Sequence, residues 1–108
     1  MGILGFGKVK KLEDLDIKEL RRERITQEVR QDQLLARMRH SQEQYDVLLE
    51  LASEPGLSDG EVDAAAYKMT QVSKTKDRSE QDLQQVLVKM SVIDSTLDVI
   101  GQKTELQK

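Results

Sequence analysis

Between Val62 and Ile100 apolar residues recur in steps of three and four, as Val62, Ala65, Met69, Val72, Leu83, Val86, Met90, Ile93, Leu97 and Ile100, and only Lys76 and Ser79 break the series. A seven-residue repeat held for this long keeps one face of a helix against a partner in a left-handed supercoil, which neither a strand nor a compact globular helix needs. The same period runs through the first half of the chain as Ile17, Leu20, Arg24, Gln27, Gln31, Leu34, Met38, Ser41, Tyr45, Leu48 and Ala52. Folding back around Pro55 and Gly56 places opposite each other seam residues whose numbers sum to 113 or 114, such as Ala52 with Val62, Leu48 with Ala65, Tyr45 with Met69, Leu34 with Ser79 and Leu20 with Ile93. One register satisfies the whole pairing. The expected fold is all-α, a long antiparallel two-helix coiled-coil hairpin with a flexible N-terminal segment, and it is expected to self-assemble.

The boundaries follow from local chemistry. Asp16 with Glu19 three residues on forms a capping box, so helix one is expected over about 17–53. Pro55 and Gly56 mark a turn at 54–58. Ser58 with Glu61 forms a second capping box, with Asp59 and Asp63 near the positive helix end, and helix two is expected over about 59–100. Gly101 is the expected stop. The chain thus divides into a tip at 1–15, a hairpin at 16–101 and a tail at 102–108.

The register also exposes a mismatch. Gln31, Gln27 and Arg24 fall opposite Leu83, Val86 and Met90, so the middle of helix two lacks an apolar partner and is expected to be covered by another subunit. Ile25 and Val29, with Ala36, Val47 and Leu51, fall on a second face of helix one, away from the seam. This face reads either as a second interface or as scattered surface aliphatics. Leu83, Val86, Met90, Ile25 and Val29 are therefore the candidate oligomer contacts.

Composition narrows the class without naming a reaction. With 34% of its 108 residues charged, one Pro, no Trp and no Cys, the chain is unlike one that buries a globular core, and disulfides and thiolate metal sites are excluded. The absence of Cys fits a reducing, cytoplasmic setting. The net charge of -3 conceals a division: residues 18–39 hold seven Lys or Arg against four acids, and residues 40–63 hold seven acids and no Lys or Arg. No apolar run is long enough to span a bilayer. At the tip, however, Ile3, Leu4 and Phe6 precede Lys8, Lys10 and Lys11, the composition of a peripheral anchor on an anionic membrane surface. The other readings of the tip are a disordered terminus and a flap packed on a neighbouring subunit.

Candidate chemistry is sparse. His40 is the only histidine, and with Glu43 one turn away it makes a poor metal site; no metal or other cofactor is expected. Gly2, Gly5 and Gly7 lack the preceding strand and spacing of a phosphate loop, and Tyr45 and Tyr67 read as packing residues. No enzyme is expected. The arginines of helix one are interleaved with acids, and aromatic residues for stacking bases are scarce, which argues against nucleic acid.

An apolar and basic N-terminus, a first helix opening with Lys18, Glu19, Leu20, Arg21, Arg22, Glu23 and Arg24, a short turn, and a longer second helix carrying Ala64 to Ala66 and KMTQVSKTKD resemble the core hairpin of the ESCRT-III family and its bacterial phage-shock (PspA-like) relatives. The resemblance covers roughly residues 1–100. It implies a membrane-remodelling subunit whose tip enters the bilayer and whose hairpins stack into homo-oligomeric filaments, cytoplasmic and peripheral to the membrane. The alternative is a soluble coiled-coil adaptor or structural subunit that forms a small closed bundle with a partner protein helix.

Overall fold

The computed structural model describes residues 17–106, with side chains described over 17–102. Among these residues there are two α-helices, α1, Ile17–Ala52, of 36 residues, and α2, Asp59–Leu106, of 48 residues, joined as an antiparallel hairpin. The tip at 1–15 and the Asp16 cap lie outside the described residues.

Each helix end that is described has a local cause. At the end of α1 the Ser53 amide donates to the carbonyls of Leu49 and Glu50, both at 3.1 Å, and the Ser53 hydroxyl donates to the Leu49 carbonyl at 2.8 Å. These bonds satisfy carbonyls that the last turn leaves without helical donors. Pro55 cannot continue the ladder, and Gly56, at φ 88°, makes the left-handed step that reverses the chain. The start of α2 is the expected capping box: the Glu61 amide donates to Ser58 Oγ at 3.1 Å, and the Ser58 amide donates to Glu61 Oε1 at 3.3 Å.

The far end of α2 differs from expectation. The helix passes through Gly101 and runs to Leu106. Glycine costs a helix interior only about 1 kcal/mol relative to Ala, and Gly101 lacks the positive φ of a left-handed C-cap. It is therefore an interior residue, not a stop.

Packing divides the hairpin into two compact units. In the first, residues 17–31 with 84–106, the core is Leu20 and Ile93, at 1% and 0% exposure, with Val92, Leu97 and Ile100 packed against them. Gln27 and Val86 are buried in the same unit. In the second, residues 32–83, Leu34, Ser41 and Ser79 are buried, and Met38, Tyr45, Leu48, Ala65, Met69 and Val72 are half-buried. Every one of these residues except Val92 belongs to the expected seam. Lys76, which interrupts the apolar series, is half-buried and donates from Nζ to Gln42 Oε1 at 2.8 Å, keeping its charged end at the edge of the seam.

Candidate association surfaces

The expected gap in the seam is closed within the chain. Val86, at 2% exposure, is buried, and Leu83 and Met90 are half-buried, so these three do not stand uncovered. Position 27 supplies the reason. The register sets Gln27 opposite Val86, and the glutamine is itself buried, its two methylenes occupying space that an apolar residue would otherwise fill. Its Nε2 donates to Glu23 Oε1 at 2.8 Å, whereas its Oε1 is buried and accepts no hydrogen bond among the described residues. A polar side chain can thus fill a seam position that its residue type alone would leave empty.

The third mismatched position is resolved by charge. Arg24 donates from Nε to Asp94 Oδ1 at 2.6 Å and from Nη2 to Asp94 Oδ2 at 3.3 Å, a side-on, two-point pairing between the helices. It also pairs with Glu28 one turn along α1, the intrahelical contact that i,i+4 spacing favours. The hydrogen bonds hold the Asp94 carboxyl below its ordinary range and the Arg24 guanidinium above its own; desolvation opposes them, and the nearby charge adds the smallest effect, in the same direction as the hydrogen bonds.

Two of the surfaces on which large apolar side chains face outward are edged by charge. In the first unit, Ile25 and Val29 are 60% and 52% exposed and lie one turn apart on α1. Exposed Lys18, Arg21 and Arg22 share their face, at spacings of three, four and seven residues from Lys18 to Ile25. In the second unit an open groove of about 610 Å³ runs between α1 and α2, with Val47, Leu48 and Val72 as its apolar lining and His40, Glu43 and Lys68 around them. Toward the bend it continues past Leu51, Leu57 and Ala64, where Glu54 and Glu61 stand on its rim and Leu48 and Lys68 are shared. Val47 and Leu51 were expected on a second face of α1. That α2 completes a groove with them was not visible in the sequence, because Val72 and Ala64 belong to different stripes of α2.

No family model, curated protein or solved structure matches this chain. The described surfaces therefore have to be read by their own chemistry. Among the described residues no group of three or more His, Asp or Glu side chains converges to hold a metal ion, and no helix is long and apolar enough to cross a membrane. What these two faces offer is apolar surface edged by charge. The candidate membrane contacts Ile3, Leu4, Phe6, Lys8, Lys10 and Lys11 lie outside the described residues.

Proposed function

We propose that this chain is a non-enzymatic assembly protein whose hairpins associate with one another and attach to the surface of anionic membranes. One observation carries the reading. Among the described residues only Leu20, Leu34, Val86 and Ile93 are fully buried apolar side chains, while twelve large ones are exposed, from Ile25 and Val29 to Val47, Tyr67, Val88 and Val99. A hairpin that buries so little is marginal by itself, and covering its outward aliphatics adds stabilisation of about 25 cal/mol per Å² of apolar surface. Homo-oligomers are the commonest way to cover such surface.

The membrane half of the proposal rests on the sequence of the tip. Ile3, Leu4 and Phe6 are suited to the acyl boundary, and Lys8, Lys10 and Lys11 to acidic headgroups, at about 1 kcal/mol for each lysine near the surface. One copy would attach weakly and an assembly firmly, since each further attachment is effectively intramolecular. This combination, with the resemblance to the ESCRT-III hairpin, supports a cytoplasmic, peripheral membrane-remodelling subunit. Co-sedimentation with vesicles containing phosphatidylserine tests it. The intact chain is expected to pellet, less so at high salt, and the triple change of Ile3, Leu4 and Phe6 to Ser to stay in the supernatant. If the intact chain ignores such vesicles, the groove between α1 and α2 favours the second reading, a soluble adaptor that receives a partner helix.

A further inference from the structure

We propose that the acidic-rimmed groove near the bend of one copy receives the basic outer face of α1 of a second copy, with Ile25 and Val29 seated against Val47 and Leu51. This inference deepens the assembly reading and rests on it. The two surfaces match in both kinds of contact. Ile25 and Val29 are more than half exposed and one turn apart, and Val47 and Leu51, also one turn apart, are 56% and 48% exposed. Helical side chains at i and i+4 present a ridge, and a ridge of that pitch packs between two side chains of equal spacing. Around the ridge stand Arg21 and Arg22; Glu28, on its flank, is already held by Arg24, and exposed Asp32, one turn beyond Val29, is the opposing charge. Around the groove stand Glu43, Glu54 and Glu61, with Lys68 as the opposing charge.

Like surfaces do not meet equally well. Ridge on ridge brings arginines together, and groove on groove brings acids together, so the symmetric pairings are disfavoured by repulsion while the mixed one is attractive. A contact between two different surfaces of one chain is heterologous. Each bound copy then retains an unused ridge or an unused groove, and growth continues unless the rotation happens to close a ring.

The test uses the full-length chain and two charge reversals, Glu43→Arg with Glu54→Arg in the groove and Arg21→Glu with Arg22→Glu on the ridge; Glu61 is spared because it caps α2. In sedimentation velocity each double variant alone is expected to associate at least about tenfold more weakly than the native chain, and a 1:1 mixture to recover association, because each variant supplies the surface that complements the other. The chain has no native cysteine, so Val29→Cys in one preparation and Val47→Cys in another can be mixed and oxidised, and the mixed disulfide dimer is expected to dominate. Association that is indifferent to both reversals, or dominance of either like-with-like disulfide, would overturn this pairing and leave assembly standing. So would Val47→Ser with Leu51→Ser abolishing vesicle binding but not self-association, since the groove would then face lipid. A native chain that never associates would remove the assembly reading as well.

Discussion

Gln27 is a seam position at which the hairpin buries a polar side chain. It is buried opposite Val86 in the register, with Oε1 lacking any hydrogen bond among the described residues. Burying an unsatisfied carbonyl costs about 1–3 kcal/mol, so Gln27→Leu is expected to stabilise the hairpin by about that much, read as a higher urea midpoint in circular dichroism. An unchanged or lower midpoint would mean that the amide is satisfied in solution. Arg24 and Asp94 make a second residue-scale prediction, about pH. The paired Asp94 carboxyl titrates below its ordinary value, so its contribution is fully present above the unfolded carboxylate pKa and is lost as pH falls through the folded one. Arg24 stays protonated throughout. Asp94→Asn should therefore be less stable than the native chain at neutral pH, with the difference shrinking once pH falls below about 4 and at high salt. A difference that is flat with pH would assign the effect to packing.

The helices themselves were legible to a degree that differs between their ends. The seam was readable because a heptad repeat puts the buried side at known positions, and Leu20, Leu34, Val86 and Ile93 are where it places them. The cap at Ser58 was readable for the same reason, since a capping box is a purely local device. Gly101 was misread because glycine has two uses in a helix, as a left-handed terminus and as a tolerated interior residue, and only φ separates them. The groove was beyond reach, since its walls come from positions of α1 and α2 that no single-helix pattern relates. Two substitutions bear on these ends. Ser58→Ala should cost about 1 kcal/mol through loss of the cap, and Gly101→Ala should stabilise by up to about 1 kcal/mol, because a Cβ there meets nothing within 4 Å. Thermal melts of the two variants should move in opposite directions; a loss of stability in Gly101→Ala would show that the glycine is needed as a terminus.

At the scale of the whole molecule the chain is an antiparallel hairpin, and we propose that the hairpin is a subunit. The first has a direct chemical check. Cysteines at Leu48 and Ala65, which the register makes neighbours near the bend, should crosslink within one chain, and crosslinking chiefly between chains would show the helices opening and exchanging. The second is the proposal made above, and it rests on how few apolar side chains are buried, among the described residues, compared with the number left exposed. The division of charge adds direction to it, since a basic stretch over 18–39 and an acidic stretch over 40–63 give two copies complementary surfaces. Light scattering coupled to size exclusion, run over a wide concentration series, measures that claim most directly. The mass is predicted to rise with concentration well above the 12.3 kDa of one chain, and to fall back as Ile25, Val29, Val47 and Leu51 are replaced by Ser. A helical chain that elutes at 12.3 kDa at every concentration would contradict it.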